Sequence, residues 1–173
     1  VMGTNTDYFQ HFRYGNKRLL TLAQGKPFEG VYDAVLGAEV ATRLGYELGE
    51  EIVIAHGAGQ VSFLQHKDKP FTVVGILDKT GTPVDRTVHV SLEGIEAIHI
   101  DWQSGAPTGP AVTAEQALSM DLQPKVITAF LVGLDSKMAT FGLQRAINDY
   151  RGEPLLAILP GVALQELWGL MGT

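Results

Sequence analysis

The spacing of apolar residues changes along this 173-residue chain, and that change constrains the fold more than any other feature. Within Ala38–Leu44, Val40, Ala41 and Leu44 lie on one helical face, and Gly45 follows where a helix often ends. From Gly49 to about Val90 the apolar residues instead alternate with a period of two, which is typical of strands. The pattern therefore predicts a fold of the α+β class.

The alternating region predicts three strands of a meander and a fourth strand after the Gly81-Thr82-Pro83 turn. The run Asp33–Gly37 predicts a further, buried strand. Ser91 is expected to cap a helix from Leu92 to about Ile100, and Thr113-Ala114-Glu115-Gln116 has the form of a capping box. The predicted strands of the alternating region are Glu51–Ala55, Gln60–Leu64, Phe71–Leu77 and Thr87–Val90.

The last third of the chain predicts a β-α-β unit. Lys125–Leu134 is apolar and rich in β-branched residues, which favours a buried strand. Asp135 or Ser136 should cap a helix that ends near Gly152. Leu155–Leu159 would be the second strand, parallel to the first, and Gly161–Met171 a second helical segment.

Composition and charge exclude several functions. The net charge is −6, and the 13 Lys and Arg residues are scattered and form no basic stripe. Binding to nucleic acid or to an anionic membrane surface is therefore not expected. The absence of Cys excludes disulfides, thiolate catalysis and Cys-type zinc sites. Neither a signal peptide nor an apolar run near the roughly 18 residues that cross a bilayer is present, so the chain is expected to be soluble.

Histidine and serine residues offer weak candidates for chemistry. His89, His99 and Asp101 could together ligate zinc, but no His-Glu-x-x-His spacing supports this, and we favour histidines that are solvated or locally hydrogen-bonded. No serine lies in a Gly-x-Ser-x-Gly elbow. Gly57-Ala58-Gly59 lies between strands, where a hairpin tip is expected and a phosphate site is not.

Paired carboxylates do not predict acid–base catalysis either. Glu50 and Glu51 would point to opposite faces of a strand, and the i, i+3 pair Glu93 and Glu96 is typical of a solvated helix face. Asp85-Arg86 is expected to form a structural ion pair in a turn. The sequence thus assigns no catalytic, cofactor-binding or metal-binding residue and predicts a protein that is not an enzyme.

Six segments, in order, resemble the periplasmic core domain of MacB/FtsX-like ABC transporter permeases. Each alone is unspecific, but their shared order over Gly3–Leu92 is more specific. Residues 103–124, rich in Pro and Gly, depart from the family pattern. The matching segments are Gly3–Phe9, Leu22–Phe28, Ala34–Gly37 with Val40–Gly45, Gly49–Ile52, Phe71–Leu77 and Val88–Leu92.

The resemblance implies a domain between the first and second membrane helices of a four-helix permease in the inner membrane, on the periplasmic side. It also implies a first strand upstream of Val1. The expected partners are a cytoplasmic ABC ATPase, a second permease subunit, and a periplasmic adaptor or substrate protein. The domain would transmit ATP-driven motion to export or extract a lipoprotein, peptide or antibiotic-like substrate.

The same reading predicts two lobes. Residues 1–48 and 91–173, from both chain ends, would form a β-α-β lobe of the porter or ferredoxin-like kind, and residues 49–90 a smaller β-rich lobe. Apolar side chains at the lobe tips would be the contact surface; the candidates are Phe63, Leu64, Trp102 and Trp168. The alternatives are a periplasmic metal- or small-ligand-binding domain that uses the histidines, and a hydrolase with a nonstandard site.

Overall fold

The computed structural model describes residues 1–56, 64–65, 68–103, 106–107 and 112–163. The chain divides into two compact units, Val1–Thr128 and Ala129–Thr173. The strands are β1 (Met2–Thr4), β2 (Arg13–Tyr14), β3 (Arg18–Leu19), β4 (Leu22–Gly25), β5 (Asp33–Leu36), β6 (Glu51–Ile52), β7 (Ala55–His56), β8 (Leu64–Gln65), β9 (Phe71–Leu77), β10 (Val88–Ser91), β11 (Trp102–Gln103) and β12 (Ala106–Pro107). The α-helices are α1 (Asp7–His11), α2 (Ala38–Leu44), α3 (Leu92–His99), α4 (Ala114–Leu118) and α5 (Thr140–Asn148), with 3-10 turns at Pro83–Arg86 and Lys137–Ala139.

The first unit is built on a mixed six-stranded sheet. Its strand order is β1-β10-β5-β9-β4, and β6 pairs with the first residues of β9. β1 and β10 are parallel, as are β5 and β9, whereas β10 and β5, β4 and β9, and β6 and β9 are antiparallel. The predicted α+β class is therefore confirmed.

The central strand β5 is covered on both faces. Ala34, Val35 and Leu36 are fully buried. Because successive side chains of a strand alternate, Ala34 and Leu36 belong to a core with residues of α2 and α3, whereas Val35 lies in a second core with Phe9 of α1. One helical layer thus lies on each face of the sheet.

A β-bulge in β9 determines how the sheet edge is packed. Ala34 pairs with Val73 and the next residue, Val35, pairs with Gly75, so β9 has one extra residue at this point. The neighbouring strand β4 ends at Gly25, whose φ is +75°, and the Lys26 amide donates to the Val74 carbonyl. A side chain on Gly75 would overlap the Lys26 carbonyl oxygen, so only glycine fits there.

The predicted helix ends are confirmed. α2 ends at Gly45, whose φ of +74° is the left-handed conformation expected of a C-terminal glycine. The Ser91 hydroxyl accepts a hydrogen bond from the Gly94 amide at the start of α3. Thr113 and Gln116 form the capping box of α4, with both reciprocal bonds present.

In the last third of the chain the predicted helix is confirmed and the predicted strands are wrong. Ser136 caps the 3-10 turn that leads into α5, and residues 160–163 are helical. Residues 125–134 and 155–159 form no strand. Apolar, β-branched composition favours a strand only where a neighbouring strand completes the hydrogen bonds, and in the described part of the chain neither segment has one. The β-α-β unit is therefore not formed there.

The middle of the chain contributes directly to the main sheet. β9 and β10, which the sequence analysis placed in the β-rich lobe of residues 49–90, pair with β5 on either side. Predicted strand Glu51–Ala55 corresponds to the short strands β6 and β7, whereas residues 60–63 lie outside the described residues. The lobe boundaries themselves remain a prediction.

The close contact at Gly75 gives a stability test. We expect Gly75→Ala to lower the free energy of unfolding by about 1–3 kcal/mol, because the new methyl group must displace the Lys26 backbone. Urea denaturation followed by circular dichroism measures this. Gly142→Ala, which adds the same group to α5 with no atom within 4 Å, should be neutral or slightly stabilising. Equal stability of Gly75→Ala and the parent would contradict the tight packing.

Candidate functional site

The strand register gives the sheet two distinct ends. Met2 pairs with His89, which pairs with Val35, so the chain enters the sheet at the end where β5 and β9 terminate. At the opposite end Ser91 begins α3, Asp33 begins β5, and Ile52 pairs with Phe71. Chain entry and the exit of β6 therefore lie at opposite ends of the same sheet.

Two β-hairpins leave from the end opposite to the chain entry. The first, β7 and β8, connects the end of β6 to the beginning of β9. The second, β11 and β12, follows α3 and Asp101. Short hairpins with few partners are marginally stable by themselves, so their orientation depends on how their bases are fixed.

A buried ion pair joins the bases of these hairpins. Lys69, which is 1% exposed, lies two residues before the start of β9, and its Nζ is 3.2 Å from Asp101 Oδ1 and 3.3 Å from Asp68 Oδ2. Asp101 Oδ2 accepts a hydrogen bond from the Val112 amide at 3.2 Å. Lys69 and Asp101 thus connect the base of the first hairpin to both ends of the second.

The surroundings keep the Asp101 carboxylate charged. Burial raises the pKa of Asp101, but the Val112 amide and the Lys69 ammonium outweigh it and hold the pKa of Asp101 below its usual value. Next to the pair, the Tyr32 hydroxyl donates to the Ala114 carbonyl oxygen, and its ring packs edge-on against Phe71. Burial, reinforced by the Asp68 carboxylate, raises the pKa of Tyr32. Tyr32 therefore remains a neutral hydrogen-bond donor.

His89 occupies a different place from the one its sequence context suggests. We expected a solvated or locally bonded residue, but His89 is fully buried because α1 covers this face of the sheet. Its ring packs against those of Tyr8 and Phe9, and Nδ1 is 3.2 Å from the Val35 carbonyl oxygen. Burial lowers the pKa of His89 to about 4, so the ring is neutral at pH 7.

Asp85 and Arg86 do not pair with each other. Asp85 is buried, and its carboxylate accepts hydrogen bonds from the amides of Thr80 and Gly81 and from the Thr80 hydroxyl, each at 2.7 Å. Burial raises the pKa of Asp85, but these bonds outweigh it and lower the pKa overall. Arg86 instead lies 2.8 Å from Glu39 of α2. Both residues fix the loop before β10, and the prediction of a mutual ion pair is wrong.

The structure does not bring the proposed zinc ligands together. Asp101 binds Lys69, His99 Nδ1 is 2.7 Å from the Ile95 carbonyl oxygen, and His89 lies beneath α1. Within the part of the chain that the structure describes, no three His, Cys, Asp or Glu residues are placed to hold a metal ion. Phe63, Trp168 and the Gly57–Gly59 segment lie outside the described residues, as do the side chains of Leu64 and Trp102.

Comparison with known proteins identifies the family of this chain. The sequence model of the MacB-like periplasmic core domain matches residues 1–147, which is most of the chain. The chain belongs to the MacB-like periplasmic core domain family. It is therefore a periplasmic domain of an ABC-transporter-type permease. No curated protein and no solved structure matches it.

Membership in the MacB-like family confirms the resemblance carried by the ordered segments of the first half. The MacB-like family is not a typical enzyme family. In the MacB-like domain, no helix of the described residues is both long and apolar enough to cross a bilayer. The Lys69–Asp101 pair was not predicted from the sequence. The one local signal is that Lys69 precedes Pro70, which favours an extended backbone at Lys69 but does not indicate an ion pair.

Removal of the Lys69 charge should destabilise the hairpin end of the sheet. We expect Lys69→Met to cost about 3 kcal/mol of unfolding free energy, because Asp101 then stays mostly buried without its partner. In the double variant Lys69→Met/Asp101→Leu much of this loss should be recovered. Chemical denaturation of the two single variants and the double variant measures the coupling. The exposed Lys79→Met is the control; the same loss in this variant would contradict a specific pair.

The burial of His89 predicts how the stability of the protein depends on pH. The unfolded chain takes up a proton near pH 6.5, whereas folded His89 does so only near pH 4, so protein stability falls as pH drops through this window. Relative to His89→Leu, the parent should lose about 3 kcal/mol between pH 7 and pH 4. Denaturation curves at several pH values measure the difference. His11→Gln, on the exposed side of α1, should keep the parental profile, and a pH-independent difference for His89→Leu would refute the burial argument.

Proposed function

We propose that this domain transmits ATP-driven movement of the permease to the hairpin end of its sheet. There it would act on a lipoprotein, peptide or antibiotic-like substrate during export or extraction, or on a periplasmic adaptor protein. The domain would perform no catalysis of its own. Its other partners would be the cytoplasmic ABC ATPase and a second permease subunit, in the inner membrane.

The observation that carries this proposal is the continuity of the sheet between its two ends. β9 runs from Phe71, beside the hairpin base, to Leu77 at the opposite end of the sheet, where β1 begins. Phe71, Val73 and Leu77 are almost completely buried along its length. Closely packed protein interiors have low compressibility and transmit displacement with little deformation. A movement applied at the opposite end of the sheet would therefore reach the hairpins.

The ion pair supports the same proposal at the far end. Hairpins attached only by their strands would bend under load, because exposed two-stranded ribbons have little stability of their own. The Lys69–Asp101 pair and the Asp101–Val112 hydrogen bond attach both hairpin bases to the sheet and to α3. We propose that this hairpin end corresponds to the contact tip of the β-rich lobe predicted over residues 49–90.

Distances between spin labels in the full-length permease with its ATPase test the proposal. These 173 residues contain no Cys, so Val53→Cys near the hairpins and Leu19→Cys toward the other end, both exposed, introduce the only thiols within them. Between the nucleotide-free and ATP-bound states, the Val53–Leu19 distance within one domain should stay constant. The Val53–Val53 distance between the two permease subunits should change by several ångströms or more.

For each of the two distances, one outcome would contradict the proposal. A Val53–Leu19 distance that broadens or shifts on ATP binding would mean that the domain deforms and does not transmit motion as one body. A constant distance between subunits would mean that the hairpin ends do not respond to ATP. In a Lys69→Met background, which breaks the ion pair, the distribution of Val53–Leu19 distances should broaden. The Lys79→Met background leaves the ion pair intact and is the control.

A further inference from the structure

Basic residues are concentrated in one segment of this acidic chain. Between Tyr8 and Phe28 the sequence contains four Lys and Arg residues and no Asp or Glu, although the whole chain carries a net charge of −6. Our expectation from the sequence was that cations are scattered and do not favour an anionic membrane surface. The structure changes this view, because it places three of the four cations on one short hairpin.

The hairpin consists of β2 and β3, with Arg13 paired to Leu19 and Tyr14 to Arg18. The side chains of Arg13, Lys17 and Arg18 are exposed, and none of the three forms an ion pair with an acidic group of the described residues. Arg18 lies over the Tyr14 ring, 4.8 Å from its centre, and Arg13 donates to the Gln10 carbonyl oxygen at 2.7 Å. The guanidinium groups are thus held in place without being neutralised.

Lys17 has a backbone conformation that disfavours its own side chain. Its φ is +61°, and it is the one residue other than glycine with positive φ in the described chain. A glycine or asparagine would adopt this conformation at lower cost. The hairpin therefore carries a cation at its turn in a backbone conformation of the kind that is frequent at ligand-binding sites.

The basic hairpin lies toward the sheet end at which the chain enters. Three residues after Leu19, Leu22 pairs with Leu77 at the end of β9, and the Thr21 carbonyl accepts a hydrogen bond from the Asp78 amide. The two hairpins joined by Lys69 and Asp101 lie at the opposite end. This inference rests on the proposed function, in which movement reaches the two hairpins from the opposite end of the sheet; the basic hairpin at that opposite end would then face the permease helices and the membrane.

We propose that the hairpin Arg13–Leu19 binds the anionic phosphate headgroups of the membrane surface beneath the domain. Arg13, Lys17 and Arg18 supply the charge, and the exposed Leu19 and half-buried Tyr14 have the apolar and aromatic character found at membrane interfaces. This contact would hold the entry end of the domain against the bilayer while the permease moves.

Vesicle co-sedimentation of the 173-residue chain tests the proposal. The chain should bind vesicles of phosphatidylcholine with about a third phosphatidylglycerol and not bind pure phosphatidylcholine, with affinity that falls as salt increases. Arg13→Gln/Lys17→Gln/Arg18→Gln should weaken binding about a hundredfold, since each cation near an anionic surface contributes roughly fivefold. The control Arg43→Gln/Lys125→Gln/Arg145→Gln, which has the same net charge, should bind like the parent.

Lys17→Gly separates binding from structure. It should lower vesicle affinity about fivefold while leaving the melting temperature equal or higher, because glycine relieves the positive φ. Inorganic phosphate at constant ionic strength should not displace the chain from vesicles; displacement would assign the hairpin to a free phosphate ligand. Equal binding by the two triple variants, or by both vesicle types, would overturn the proposal, whereas the label distances within the permease test the transmission role separately.

Discussion

The complete burial of β5 is the constraint on which the rest of this structure depends. Ala34, Val35 and Leu36 have no exposed surface, so both faces and both edges of the strand must be covered. β10 and β9 cover the edges, α2 and α3 pack on one face, and α1 packs on the other. The side-chain alternation of one short strand thus determines on which face of the sheet each of three helices packs, and its register with β9 and β10 aligns the ends of these strands.

Local signals in the sequence were sufficient for much of the first unit. The serine and threonine caps at Ser91 and Thr113 and the glycine at Gly45 act through hydrogen bonds and backbone conformation within a few residues, and all three were predicted. The strand at Asp33–Leu36 was predicted, as the run Asp33–Gly37, for a similar reason, because a short apolar run is typical of a strand buried on both faces.

What the sequence could not provide were interactions between distant residues. Lys69 and Asp101 are 32 positions apart, and neither carries a local sign that it will be buried with the other. The environment of His89 depends on α1, about 80 residues earlier in the chain, and its alternation with Val88 and Val90 alone suggested an outward position. Residues 125–134 have strand composition, but strand formation also requires a partner strand, which composition does not specify.

The central claim is that the sheet between the chain entry and the two hairpins behaves as one rigid body in the working permease. Amide hydrogen exchange of the full-length permease and its ATPase, with and without ATP, measures this most directly. Amides of β5, β9 and β10, together with that of Val112, should exchange slowly and equally in both states. Faster exchange of β9 or Val112 in the ATP-bound state would contradict the account, because the domain would then open when it should transmit motion.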